Sequence, residues 1–264
     1  MDFLISDEQK QLQDLIHQFI QKDYPFDVRE KLVKTEEGFS KDFWKTFSQF
    51  GLLAMPFSEE DGGFNGGPVD IMIILEAFGT GLIVEPYIPN IVLSGNLVSK
   101  LGSKDQKDAI LPNLLNGDMQ LAFAFSEPQS RFDLNDVTTA AEKDGDGYKL
   151  NGYKCVVMNG PAADKLIVSA RTAGSQLDEN GISLFIVDRE TKGVSLRDYS
   201  NVDGSKASEL TLEDVVLTKD ALLGEQDKAF STIEEVVNLA TLAISAEAIG
   251  IMQKMNELTL EYTK

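Results

Sequence analysis

Cysteine and histidine occur once each in this 264-residue chain, as Cys155 and His17. A single cysteine excludes an internal disulfide and suits a reducing, cytoplasmic setting. With one histidine beside it, zinc sites of the Cys/His type and hydrolase triads that need a histidine base are excluded as well. His17 falls among Gln13, Asp14 and Gln21, away from the apolar residues Leu12, Leu15, Ile16, Phe19 and Ile20, and so reads as a solvent-exposed residue without a catalytic role. Basic residues are also scarce. Lys and Arg number 24 against 43 Asp and Glu, for a formal net charge of −19. Such a balance argues against nucleic acid and against anionic membrane surfaces as partners. No run is read as long and apolar enough for a membrane-spanning helix. The first eight residues lack the basic segment and apolar run of a signal peptide. The glycines at 62, 63, 66 and 67 match neither G-x-x-x-x-G-K-[ST] nor G-x-G-x-x-G, so they read as turns between helices.

What is present is a hydrophobic content of 42%, enough for a packed core in one large domain or two medium ones. Three regimes of periodicity follow one another. Up to about residue 119 the pattern is helical. Ser6 and Gln9 have capping-box spacing, a helix after Ser40 buries Phe43, Trp44 and Phe47, and Pro68 opens a helix through Ile71, Ile74, Leu75 and Phe78. Further helical patterns cover roughly residues 87–100 and 104–116. From 120 to about 225 the runs are short and β-like, as at 165–170, 182–187 and 210–217, with a hairpin signal at Asp144, Gly145, Asp146 and Gly147. From 226 to 264 a helical period returns through Phe230, Ile233, Val236, Val237, Ala240, Ile244 and Ala248. The expected fold is therefore α+β: an N-terminal helical domain (1–119), a middle antiparallel β-barrel or sandwich (120–225) and the first helix of a C-terminal helical domain (226–264). That helix, still running at Lys264, reads as the first element of something longer. Its residues Ile233, Val237, Ile244 and Ile251 are expected to form an exposed apolar stripe.

The local motifs sharpen this order. The N-terminal part carries Leu53, Ala54, Met55 and Pro56, then Glu60-Asp61-Gly62-Gly63, Glu85-Pro86 and Gly102 with Gln106 and Lys107. The middle part carries Ser126-Glu127-Pro128 with Asp133, residues 147–154 ending Asn151-Gly152-Tyr153-Lys154, then Asn159-Gly160, Ala163-Asp164 and Leu223-Gly224. Together these resemble the acyl-CoA dehydrogenase family over essentially the whole chain, which would span about two-thirds of a complete member. Glu85-Pro86-Tyr87 and the run Ala246 to Gly250 look most like the bacterial small-subunit branch, as in pimeloyl-CoA dehydrogenase.

The resemblance implies an FAD-dependent oxidoreductase that desaturates an acyl-CoA thioester. Its electrons would pass to an electron-transfer flavoprotein, and it would form homo- or hetero-oligomers with another acyl-CoA dehydrogenase subunit. It places the flavin ring against Phe125 and Ser126. It also marks departures. Arg131 and Phe132 stand where the family usually has glycine and serine, Val156 where it has an aromatic cover, and Met158 where it has a hydroxyl that bonds the flavin. The cofactor-facing set is thus Phe125, Ser126, Phe132, Val156 and Met158. The base position used by a minority of members falls at Ala240, beside Thr241, and neither side chain is a base. Glu234, Glu235 and Glu247 on the same helix read as a solvated face, so no catalytic residue is assigned. The alternative function is a non-catalytic partner subunit of a heteromeric acyl-CoA dehydrogenase, without a functional flavin site.

Overall fold

The computed structural model describes residues 5–264; residues 1–4, part of the segment read above as carrying no leader, lie outside them. Helix α1 (Asp7–Asp23) opens as its capping box requires: the Ser6 hydroxyl accepts from the Gln9 N–H while the Gln9 side chain accepts from the Ser6 N–H. His17 on this helix, expected to be solvent-exposed, is half-buried. A short helix, α2 (Phe26–Leu32), follows Pro25 and is too brief to show a period. Helix α3 (Lys41–Gln49) is capped by Ser40 and buries Trp44 and Phe47, with Phe43 only half-buried. Helix α4 (Pro68–Gly81) starts on its proline.

The pattern at 87–100 is realised in two conformations, a π-helical segment Ile88–Gly95 running into α5 (Asn96–Leu101). Helix α6 (Lys104–Leu115) closes the N-terminal layer. Its core is dominated by aromatic rings, with Phe47 against Phe78 at 5.0 Å and Phe78 edge-on to Tyr87 at 5.7 Å.

Eight strands follow: β1 (Leu121–Ala124), β2 (Ala140–Asp144), β3 (Gly147–Met158), β4 (Lys165–Arg171), β5 (Ile182–Asp188), β6 (Val194–Ser200), β7 (Lys206–Leu217) and β8 (Leu222–Leu223). They form one sheet in the order β6-β7-β3-β2-β4-β5-β8, with β1 added beside β4. Two features correct the expected antiparallel barrel. The sheet does not close, and β1 and β2 both pair with β4 in parallel. The parallel β1–β4 pair exists because the β2–β3 hairpin lies in the crossover between them.

Since β2 meets β4 only at Ala140 opposite Arg171, the sheet bends there and folds its halves face to face, as a sandwich does. On β4 the alternation is visible residue by residue. Leu166, Val168 and Ala170 pack with Leu150, Leu210 and Leu212 of the other half, while Ile167 joins the core shared with the helices.

Helix α7 (Phe230–Tyr262) lies along α4. At 33 residues, with a mean hydropathy of 1.5 over its most apolar stretch, it is long and apolar enough to cross a membrane, contrary to the sequence reading. Its apolar residues have a packing role on one face, where Ile233, Val236, Ala243, Ala246 and Gly250 are buried. The expected stripe is also corrected. Ile233 is buried and Val237 packs on the core, whereas exposure falls on Ile244, Ile249, Met252 and Met255.

The α4–α7 crossing is close because both helices present glycine. A Cβ on Gly250 would lie 1.9 Å from the Glu76 carbonyl oxygen, and one on Gly79 would lie 2.1 Å from that of Glu247. Neither neighbour is a side chain that can swing away. Gly250→Ala is therefore expected to cost about 1–3 kcal/mol and to lower the melting temperature by several degrees. Ile249→Ala, at an exposed neighbouring site, is expected to stay near the parent in the same calorimetric scan. Equal melting of the two variants would contradict the close crossing.

Candidate functional site

The site is built around an irregularity in β3. Lys154 faces Leu210 of β7 and Val157 faces Ser208, so Cys155 and Val156 share a single partner residue, Glu209. Val156 takes a φ of 52°, a left-handed conformation that is costly for a β-branched residue. The bulge is tied to the end of β1, where the Cys155 N–H donates to the Ser126 carbonyl at 2.9 Å.

Beneath this junction lies a fully buried ion pair. Lys154 Nζ donates to Glu127 Oε1 at 2.7 Å, to Ser169 Oγ at 3.0 Å and to the Phe125 carbonyl at 3.4 Å. Glu127 also accepts from Gln129 Nε2 at 2.8 Å, from the N–H groups of Thr138 and Thr139 at 2.8 and 3.0 Å, and from the Thr138 hydroxyl. Burial opposes both charges. At Glu127, Lys154 and the hydrogen bonds from Thr138 and Gln129 overcome it and hold the carboxyl down at about 2. At Lys154, burial outweighs the pull of Glu127 and lowers the ammonium to about 8.

The five residues expected to face a cofactor are placed as follows. Phe125 is half-buried and packs on Phe123 with ring centroids 4.8 Å apart. Ser126 is half-buried. Its hydroxyl has only the Cys155 sulfur, at 3.7 Å, as partner, and its N–H has no acceptor among the described residues. Val156 and Met158 are exposed. Phe132, at 98% exposure, packs on none of the others and follows Arg131, whose φ is 49°. The structure thus brings Phe125, Ser126 and Val156 together and leaves Phe132 apart. The donors of Ser126 and the open apolar surface of Val156 and Met158 fit one edge and one face of a flavin ring.

Met158 and Asn159 also line a cavity of about 330 Å³ whose walls come from α4, the π-helical segment and α7, with Leu75, Phe78, Ile88 and Ile244, and from Arg29 of α2 and the segments at 37–39, 82–87 and 203–206. Asn159 is fixed by bonds from its Nδ2 to Gln120 Oε1 and the Leu121 carbonyl, at 3.1 and 3.0 Å. π-Helical turns recur at functional sites, and this one forms part of the wall.

Two carboxyls in the cavity wall had no place in the expected site: Glu85 entered only as part of a family motif, and Glu247 was read as part of a solvated face. Glu85 is 5% exposed; its Oε1 accepts from the Ser40 N–H at 3.2 Å, and its Oε2 has no partner. Burial raises its pKa to about 7 against the pull of the Ser40 N–H and the nearby Tyr24 hydroxyl. Glu247 is raised to about 7 by burial and then by repulsion from Asp203. Glu234 and Glu235 are exposed, as read, and Glu235 pairs with Lys100 at 2.8 Å. The available signal for Glu247 was its place between Ile244 and Ile251 on the apolar side of the helix.

Opposite pH dependences follow from these carboxyls. Glu127, depressed in the folded state, contributes stability above about pH 4.5 that is lost as pH falls toward 2. Lys154→Met strands the buried Glu127 charge and is expected to cost about 3–5 kcal/mol at pH 7, with much of the loss recovered in the double variant with Glu127→Gln. Denaturant titrations of the parent and the two variants check this; an equal loss in the double variant would contradict it. Glu85, raised in the folded state, lowers stability as pH rises from about 4.5 through 7. Glu85→Gln is expected to gain on the parent between pH 5 and pH 8, by up to about 3 kcal/mol. Parallel pH–stability curves would contradict the shift.

Comparison with known proteins agrees with this architecture. Residues 6–118 match the acyl-CoA dehydrogenase N-terminal domain and residues 122–215 the acyl-CoA dehydrogenase middle domain. The chain is 31% identical to an acryloyl-CoA reductase (NADH) of Anaerotignum propionicum, over 99% of its own length and 67% of the relative's. The structure of butyryl-CoA dehydrogenase from Megasphaera elsdenii superposes with a TM-score of 0.89 at 27% identity, covering 100% of this chain and 70% of that one. A structure of the electron transferring flavoprotein of Acidaminococcus fermentans gives a TM-score of 0.88 at 25% identity, over 99% of this chain and 70% of that one. A helical layer, a folded middle sheet and a following helix that frame one cavity, with both domains matched in sequence, make this chain a member of the acyl-CoA dehydrogenase family.

Proposed function

We propose that this chain forms the acyl-binding and flavin-facing part of an FAD-dependent acyl-CoA oxidoreductase, which interconverts a saturated acyl-CoA thioester and its α,β-unsaturated counterpart. The observation that carries the reading is continuity along β3. The bulge at Cys155–Val156 that meets Ser126 runs within two residues into Met158 and Asn159, the wall of the mainly apolar cavity. A flavin at the Ser126 edge would supply two-electron chemistry next to a chain-sized apolar space. The protein's part is then positional. The Ser126 N–H and hydroxyl orient the ring edge, Val156 and Met158 keep water from one face, and Leu75, Phe78 and Ile244 hold the acyl chain.

Helix α7 presents a methyl at Ala240, and the Thr241 hydroxyl is turned back to the Val237 carbonyl at 2.9 Å. Neither side chain can take a proton, so proton transfer at the α-carbon falls to another group. An electron-transfer flavoprotein as redox partner, a second acyl-CoA dehydrogenase subunit and a cytoplasmic setting belong to the same proposal. The partner-subunit alternative gains nothing from the structure, because strand edge and cavity are both formed.

FAD titration of the purified chain tests the reading. Binding is expected in the micromolar range. Met158→Thr, which restores a hydroxyl, is expected to tighten it about fivefold, the worth of one hydrogen bond near 1 kcal/mol. Phe132→Ser is expected to leave it unchanged. Failure of both FAD and octanoyl-CoA to bind would overturn the reading in favour of a non-catalytic subunit.

A further inference from the structure

A second cleft, of about 520 Å³, lies between the segment at 36–41, the turn at 160–162 and the end of β6. The acyl-CoA reading makes no use of it. We infer that this cleft binds a small organic carboxylate, held by the side-chain amide of Gln120 and the ammonium of Lys206.

The argument starts from an amide whose orientation is forced. The Leu121 N–H donates to Asn90 Oδ1 at 2.8 Å, which leaves Asn90 Nδ2 to donate to Gln120 Oε1, also at 2.8 Å. Asn159 Nδ2 donates to the same oxygen at 3.1 Å. Gln120 must therefore turn its Nε2 the other way. The residue is only 9% exposed and lines the cleft, and its Nε2 has no acceptor among the described residues without being sealed from solvent. Two N–H groups thus stand at a buried floor with nothing of the protein to receive them.

The charges around them sort by depth. Arg189 and Lys206 are half-buried, whereas Glu36, Glu37, Lys41 and Asp198 are exposed. Glu37 pairs with Lys41 at 3.2 Å. Arg189 is committed, donating through Nη1 to the Gly160 and Pro161 carbonyls at 2.6 and 2.7 Å and facing Asp198 at 3.4 Å. Lys206 Nζ donates to Ser200 Oγ at 2.8 Å and has no carboxylate partner, so two of its N–H groups remain. Glu36 also has no partner among the described residues, but water serves it. The interior therefore offers donors, and a ligand that fits it must bring acceptors. The exposed carboxylates oppose a dianion more than a monoanion, which favours a carboxylate over a phosphate. Phe39, Pro161 and Ala162 give the body of such a ligand an apolar surface. Asn159 keeps the two binding groups on one frame, since its N–H donates to the Lys206 carbonyl at 3.1 Å while its Nδ2 holds Gln120.

Titration of the full chain with sodium benzoate, followed by heteronuclear NMR, tests the site. The Gln120 side-chain amide resonance is expected to shift saturably, with a Kd of about 1 mM or below. Lys206→Met keeps the stem that packs against Gly38 and is expected to weaken binding about tenfold. Gln120→Glu keeps the acceptor for Asn90 and Asn159 but replaces the donors with a negative charge, and is expected to abolish benzoate binding. If that variant fails to fold, the Lys206→Met titration and the shift of the Gln120 amide in the parent carry the test. Benzyl alcohol, benzylamine and inorganic phosphate are each expected to bind at least about tenfold more weakly than benzoate. A Gln120 amide that does not move, unchanged affinity in Lys206→Met, or tighter binding of benzylamine or phosphate than of benzoate overturns the inference.

Discussion

The buried contact between Lys154 and Glu127 is the interaction on which the site depends. It draws together the end of β1 through the Phe125 carbonyl, the segment leading to β2 through Thr138 and Thr139, β3 through Lys154 itself, and β4 through Ser169. Four pieces of chain are therefore positioned by one pair of charges. Placing two ions out of water is costly, and the arrangement is tolerable only because nearly every lone pair and proton is matched. The left-handed Val156 and the exposed edge of Ser126 follow from it. A strained turn persists only where its surroundings over-determine it, and here they do so through the bond from Cys155 to Ser126 directly above the ion pair.

Much of this was readable in the sequence where local chemistry decides. The Ser6–Gln9 box, the proline at the start of α4 and the β-branched runs of β4 and β5 each specify their element with little help from the rest of the chain. The failures share a cause. The parallel pairing of β1 with β4 depends on what lies between them, the bend in the sheet on a single bridge at Ala140, and the π-helical turn at Ile88–Gly95 on packing that a period of three to four residues does not register. At the site, Phe125 and Ser126 meet the Cys155–Val156 bulge because the motif spans both chain segments joined by the Cys155 N–H to the Ser126 carbonyl. Phe132 stands apart, its neighbour Arg131 having taken a left-handed turn. Glu85 and Glu247 were invisible as a pair, since 161 intervening residues separate two side chains that only the packing of α7 on α4 and the π-helical segment brings to one cavity.

The cavity also shows how charge and burial are divided within the chain. An overall charge of −19 leaves most carboxylates on the surface, where water screens them. Glu127 is buried and charged because donors surround it. Glu85 and Glu247 are withdrawn from water with few donors and are driven toward the neutral form. The same side chain thus behaves in two ways within one molecule, according to the number of hydrogen-bond donors each environment supplies.

The glycine-on-carbonyl crossing of α4 and α7 has a consequence for how such a protein can change. Because Gly79 and Gly250 seat the two helices backbone against backbone, the position of α7 is set without using the side chains that face the cavity. Ile244, Glu247 and Ile251 are then free to vary without moving the helix that carries them. The lining of the cavity could drift by single substitutions along one helical face while the scaffold, and the bulged strand β3, stayed in register. An arrangement of this kind separates what must be kept from what can be rewritten, and gives a shared fold room to acquire many acyl specificities.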